Sequence, residues 1–367
     1  ISSKASRISW RILIIGSRHQ FGRPQRLPRR RKTGSSILVV MTNKIFITGG
    51  AGYVGSMLVP RLLKDGHSVT VIDLMWFGDD VIDAHPNLKM VKGDIRDQKL
   101  LKAEIPGHDV VIHLACISND PSVDLDPELG RSINLDAFRP LVEISKASGV
   151  SRFIYASSSS VYGVKSEPNV SEEMSLEPLT DYSKFKADCE KIIAEYQSDN
   201  FTTVTIRPAT VCGYSRRQRL DVVVNILSNL AFHKRKITVF GGQQLRPNIH
   251  IADMVEAYVV LLNAPKELIA GEIFNAGYEN QSVEELALSV RDVMGDDVEL
   301  VTSPSDDNRS YHISSQKISK TLGFVPQHTI RDAIVDMKNA LEGGLLPDSL
   351  TDDKYFNIKR IQTEKLA

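Results

Sequence analysis

Lys44-Ile45-Phe46-Ile47-Thr48-Gly49-Gly50-Ala51-Gly52-Tyr53-Val54-Gly55 decides the fold. A β-branched and aromatic run stops at Thr48, glycines follow at 49, 52 and 55, and an apolar pattern of helical period begins with Val54, Leu58, Leu62 and Leu63. This reads as strand, tight glycine turn and helix, which aims free backbone N–H groups and a positive helix end at a pyrophosphate. Gly49 allows the turn, Gly52 lets a phosphate approach the backbone, and Gly55 lets the helix pack closely on the strand. The spacing is G-x-x-G-x-x-G rather than G-x-G-x-x-G. A glycine-rich turn without a ligand is the competing reading, and residues further along the chain decide between them.

Strand and helix patterns alternate from residue 44 onward. Strands are expected at Ser68–Asp73, Lys89–Val91, Asp109–Leu114, Arg152–Ser157 and Thr202–Arg207, with long helices at Leu129–Ser148 and Tyr182–Ser198. Strands separated by helices mean βαβ units. The expected fold is α/β: a Rossmann-type doubly wound parallel sheet with a smaller C-terminal α/β substrate lobe. The expected boundaries are a basic extension or targeting segment over 1–42, the glycine-turn Rossmann-type domain over 43–212, the smaller lobe mainly over 213–345, and a polar tail over 346–367.

The formal net charge of zero hides an asymmetry. Ten of the 45 Lys and Arg lie in residues 1–40, which hold no Asp or Glu, so 35 basic residues meet all 45 acidic ones in the remainder. An acidic body offers no broad basic face for nucleic acid. Three readings of the first forty residues stay open: an organelle transit peptide, a basic arm for nucleic acid or a membrane surface, or an upstream extension ahead of a start at Met41. No apolar run approaches the ~18 residues of a membrane span. Cys116, Cys189 and Cys212 show neither metal-type spacing nor an even disulfide pattern, which suits a reducing compartment, so a cytoplasmic protein is expected unless the first residues direct import. No metal site is expected.

Asp73 stands 18 residues after Gly55 at a strand end. A carboxylate there accepts from the adenosine ribose hydroxyls and repels a 2′-phosphate, which selects NAD; a turn-capping Asp is the alternative. Asp94-Ile95 lies where the adenine edge would pass, and Leu114-Ala115 gives small residues beside the nicotinamide half. His113 reads as a packed strand-end histidine. Tyr182 and Lys186 share one helix face at i and i+4. A free phenol titrates near ~10, and a nearby ammonium would lower that value. Ser157-Ser158-Ser159-Ser160, before Val161-Tyr162-Gly163, brings hydroxyls to a strand end, where one can hydrogen-bond a reacting oxygen.

In this order, glycine turn, Asp73, serines and Tyr-x-x-x-Lys resemble the extended short-chain dehydrogenase/reductase family in its NAD-dependent nucleotide-sugar epimerase/dehydratase branch, over about residues 43–342. The resemblance implies NAD held by Gly49, Gly52, Tyr53, Val54, Gly55, Asp73, Asp94, Ile95, Leu114, Ala115, Asn134 and Lys186. It implies Tyr182 as base, Lys186 as its positioning and activating partner, and Ser158, three residues before Val161, as the hydroxyl partner. Arg207-Pro208-Ala209-Thr210-Val211-Cys212-Gly213 is similar to the family's R-P-x-N-V-Y-G segment, with Thr210 where Asn is common and Cys212 where Tyr is common. Thr210, Asn225, Arg246 and Arg309 are then expected at a nucleotide-diphosphate sugar, the two arginines clamping its diphosphate.

Departures are informative. Dehydrating relatives carry Asp-Glu where this chain has Ser159-Ser160, and relatives that decarboxylate UDP-glucuronate carry Glu at Ser160. An oxidise–rotate–reduce epimerisation, at C4, needs neither acid. The alternatives are a nucleotide-sugar dehydratase or reductase, and a non-catalytic nucleotide- or nucleic-acid-binding scaffold. A homodimer through helices within 129–148 and 182–198 is implied by the resemblance alone.

Overall fold

The computed structural model describes residues 42–167, 169–305, 310 and 312–364. The first half runs β1 (Lys44–Thr48), α1 (Gly55–Lys64), β2 (Ser68–Asp73), β3 (Leu88–Lys92), α2 (Gln98–Glu104), β4 (Val110–His113), α3 (Asp120–Leu125), α4 (Pro127–Arg131), α5 (Phe138–Ala147), β5 (Arg152–Ala156), α6 (Asp181–Ala194) and β6 (Thr202–Pro208). The second half runs β7 (Thr210–Cys212), α7 (Val223–Lys234), β8 (Lys236–Phe240), β9 (Leu245–His250), α8 (Ile251–Asn263), α9 (Lys266–Ile269), β10 (Glu272–Ala276), β11 (Glu279–Ser282), α10 (Val283–Met294), β12 (Glu299–Ser303), α11 (Gln316–Leu322), α12 (Ile330–Glu342) and α13 (Asn357–Glu364).

Seven strands form a parallel sheet in the order β10-β6-β5-β4-β1-β2-β3. The strand order reverses between β1 and β4, which pair through Thr48↔His113. A crevice opens at such a reversal, outside the carboxyl ends of the strands. Both faces of the sheet are covered, so the central strands β1, β4 and β5 are buried along almost their whole length rather than alternating buried and exposed residues. The pleat divides them: Ile45, Ile47, Val69, Val71, Ile112 and Ile154 enter one core, and Phe46, Ile72, Val111, Phe153 and Tyr155 the other.

Residues from 210 onward build a three-stranded sheet, β11-β9-β7, and a parallel pair, β12-β8. They also return to the large sheet. β10 is its edge strand beside β6, and Arg61 of α1 pairs with Glu256 of α8 at 2.5 Å.

Two expectations are corrected. The single helix over Leu129–Ser148 is α4 and α5 joined by a π-helical turn at Ser132–Asp136. The widened turn carries Asn134, whose amide holds both the N–H and the C=O of Ile117. The polar tail is packed: Leu346, Tyr355 and Ile361 are buried, because apolar residues spaced among polar ones found hydrophobic partners in Leu220 and the Phe46 core. Among the described residues no helix is long and apolar enough to cross a membrane.

Candidate active site

The carboxyl ends of the central strands line a cavity of about 510 Å³. At one end stands the glycine turn. Gly49 has φ +74°, and a Cβ there would lie 2.6 Å from the backbone of Ala115. A Cβ on Gly55 would lie 2.3 Å from the carbonyl of Gly50, so the glycine is what lets the start of α1 approach the backbone that leaves β1. Gly52, Tyr53 and Val54 line the cavity. The start of α1 has no side-chain cap; Ser56 and Met57 N–H bond back to the carbonyls of Gly52 and Val54, and the positive helix end, with Gly55, faces the cavity. An uncapped helix start behind glycines fits a dinucleotide diphosphate.

Asp73 accepts from the N–H of Ala51 (3.1 Å) and of Met75 (2.9 Å), and each oxygen keeps a further acceptor site for a ribose hydroxyl. Burial pushes its carboxyl up, and these N–H groups pull it back. Asp94 and Ile95 line the same end, with the Asp94 carboxylate bound to Arg96 at 2.7 Å. Leu114 and Ala115 line the middle. His113 is packed as its sequence suggests: burial pushes it down to about 3, so it is neutral, and it bonds Thr48 Oγ1 at 2.6 Å. Asn134, expected at the cofactor, does not line the cavity; it spends its amide on Ile117 and so shapes the loop that does.

Ser158, Tyr182 and Lys186 come together in the cavity wall. Thr180 and Ser183 form a capping box that starts α6 and sets the facing of Tyr182. Ser158, just after β5, caps the turn Ser159–Tyr162 by accepting from Ser160 N–H, its Oγ lies 2.9 Å from Ser160 Oγ, and it lines the cavity together with Tyr182. Burial holds the Tyr182 phenol well above its ordinary range, with Cys116 and Asp120 acting in the same sense. Arg219 and the nearby Ser158 hydroxyl oppose this. Lys186 lies 5.8 Å from the centre of the Tyr182 ring and donates to the carbonyl of Ala156 at 2.7 Å. Its position is as the i, i+4 spacing predicts, and Arg219 is a second cation that the spacing did not reveal.

On the far side, Thr210 of β7 and Arg246 of β9 line the cavity. Arg309 lies outside the described residues, as do residues 1–41. Asn225 is buried behind the wall rather than in it. Its amide accepts from Gly213 N–H and donates to Tyr53 Oη at 3.0 Å, fastening the 213–219 loop over the glycine turn. Sequence reasoning missed Trp76, Phe77, Arg217, Arg219 and Asp221, all of which line the cavity. A signal existed for three of them: Arg216-Arg217-Gln218-Arg219-Leu220-Asp221 is a basic cluster in an otherwise acidic body.

Residues 45–277 match the model of the NAD dependent epimerase/dehydratase family. The chain is 26% identical over 317 residues to a UDP-glucose 4-epimerase of Lactobacillus helveticus, covering 80% of this chain and 94% of the relative. It is 34% identical over 273 residues to an uncharacterised UDP-glucose epimerase of Bacillus subtilis, covering 69% and 82%. The UDP-glucose 4-epimerase of Thermotoga maritima, solved with UDP-glucose, superposes with a TM-score of 0.76 at 23% identity, over 82% of this chain and 99% of that one. The chain belongs to the NAD-dependent epimerase/dehydratase family, and its cofactor is NAD.

Proposed function

We propose that the chain is a nucleotide-sugar epimerase acting at C4, with Tyr182 as base, Ser158 as hydroxyl partner and Lys186 as the residue that positions the base. The supporting observation is the Ser158–Tyr182 pair in the cavity wall, with the nearby carboxylates engaged elsewhere. Asp120 accepts from Thr180 Oγ1 at 2.5 Å, and Asp221 pairs with Arg219 at 2.9 Å. Asp73 and Asp94 stand at the glycine-turn end. Expelling a sugar hydroxyl as water calls for a free acid beside the base; epimerisation calls only for proton exchange at one oxygen. NAD, when bound, supplies the hydride acceptor and donor and a positive ring near the phenol. Tyr182 removes the sugar hydroxyl proton and later returns it, and Ser158 holds the same oxygen. Arg246 and Arg309 are assigned to the diphosphate and Thr210 to the sugar. Relatives named as UDP-glucose 4-epimerases support this reading, and one named dTDP-glucose 4,6-dehydratase, from Streptomyces niveus, marks the alternative.

The test is proton NMR of UDP-, dTDP- and GDP-hexoses incubated with the purified protein. Interconversion of C4 epimers without net NADH is expected; a 4-keto-6-deoxy product would replace the proposal with a dehydratase. Tyr182→Phe should keep its NAD and lose turnover by ~10²-fold or more. Homodimerisation through α5 and α6 is part of the same reading and is checked by light scattering.

A further inference from the structure

Arg217 is 4% exposed and lines the cavity, yet its Nε and Nη1 have no hydrogen-bond partner. Among the described residues no carboxylate pairs with it. Buried donors without partners are rare in native folds, and a buried cation without an anion is costly. The rest of the group is firmly held. Its guanidinium stacks 3.6 Å over the Phe77 ring, and Nη2 donates to Asn357 Oδ1 at 2.6 Å. Its backbone N–H reaches Ser56 Oγ at 3.3 Å, one residue into α1. Arg217 therefore bridges the start of α1 and the loop after Asp73, the two places between which a dinucleotide's diphosphate passes. The Ser158–Tyr182 end has its own cation in Arg219.

Asn357 opens α13, and every polar group it has is used. Its N–H donates to Asp221 at 3.1 Å, its Nδ2 to Ser118 Oγ at 2.9 Å, and its Oδ1 accepts from Arg217. Three residues on, Arg360 Nε donates to the carbonyl of Trp76 at 2.5 Å, and Ile361 is buried in the Phe46 core. The last helix thus touches the cavity wall at Trp76, Ser118, Arg217 and Asp221.

We infer that Arg217 is a binding residue for the diphosphate of the cofactor, donating from Nε and Nη1, and that α13 is a strap that positions it through Asn357. The inference rests on the NAD site and is independent of which sugar reaction the protein runs. Burial pushes the Arg217 guanidinium down to about 9, with Arg219 acting in the same sense, and a bound diphosphate reverses that penalty.

The experiment is binding of ADP and of adenosine to protein stripped of NAD, followed through the fluorescence of Trp76 in the cavity wall, for the unaltered chain, Arg217→Met and Asn357→Ala. Arg217→Met should weaken ADP by about 10- to 100-fold, the loss of charge-assisted hydrogen bonds, and leave adenosine unchanged. Asn357→Ala leaves the cation in place but unpositioned, so a smaller loss in the same direction is expected, with less NAD released on denaturing the purified protein. Equal loss of ADP and adenosine would overturn the inference, as would no loss of either. Weakened UDP binding to NAD-loaded protein with ADP unchanged would also overturn it, and would move Arg217 to the sugar-nucleotide site. None of these readouts depends on turnover, so the epimerase reading can fail while this one stands.

Discussion

Arg207 and Arg217 are both buried, at 3% and 4% exposure, and the protein treats them in opposite ways. Arg207 is paired on every side. Nε and Nη2 fork onto the Glu190 carboxylate at 3.0 and 2.6 Å, and Nη1 donates to Tyr162 Oη at 2.6 Å. The network continues to Ser157 on one side and Asn275 on the other, tying β5, α6, β6 and β10 together beneath the cavity. Arg217 has one side-chain partner of its own and two nitrogens without any. The fold completes the first guanidinium itself and leaves the second to be completed by what enters the cavity. Their pKa directions agree: the hydrogen-bonded Glu190 holds Arg207 above its ordinary value despite burial, whereas at Arg217 burial and Arg219 outweigh the more distant charges of Asp221 and Asp73.

That contrast breaks most directly in unfolding experiments. Removing one member of a buried pair strands the other, so Arg207→Met should cost about 3–5 kcal/mol in urea unfolding. Arg217→Met removes a charge that no carboxylate pairs with directly, only the fields of Asp73 and Asp221 reaching it, so in NAD-free protein it should change stability by no more than ~1 kcal/mol. Equal losses in the two variants would make Arg217 a structural residue and end the distinction.

A smaller effect is expected at Arg219, which faces Tyr182. A cation favours the phenolate, so it lowers the phenol pKa, and its partner Asp221 has the opposite influence once unpaired. Arg219→Met should therefore raise the Tyr182 pKa by both routes. A base must be deprotonated to act, so activity rises with pH through that pKa, and the acid limb of kcat/KM should move to higher pH by on the order of one unit. An unmoved limb would show that the phenol titrates independently of Arg219.

What could be read in the sequence follows the same division. The glycine turn, Asp73 and the Tyr182–Lys186 pair are local: a few adjacent residues fix a backbone path, and β2 falls at Ser68–Asp73 as expected. The Arg207–Glu190 network and the Arg217–Asn357 contact join residues 17 and 140 apart, and no periodicity encodes such partners. Asn134 and Asn225 show the intermediate case. Sequence brings them to the site, but their amides are spent on backbone groups, one on Ile117 and one on the 213–219 loop, because a buried amide must satisfy itself first. The tail from 346 onward looked polar because its apolar residues are few, yet Tyr355 and Ile361 suffice to anchor it.

The smallest effect tests the same idea on two helices. α6 carries its own cap: Thr180 Oγ1 accepts from Ser183 N–H, and Ser183 reaches back to Thr180 N–H. α1 carries no side-chain cap, and its positive end faces the cavity. One helix end is capped by a side chain and the other is left to face an anion, as with the two arginines. Thr180→Ala should cost about 1 kcal/mol in thermal unfolding, the usual worth of a cap, and Thr180→Ser should restore it. Thr180 also donates to Asp120, whose charge already holds the Tyr182 phenol up. Losing that donor leaves Asp120 less neutralised, so Thr180→Ala should also move the acid limb of kcat/KM upward, by less than Arg219→Met does. A stability loss without any movement of the limb would confine Thr180 to capping and separate the helix end from the chemistry it carries.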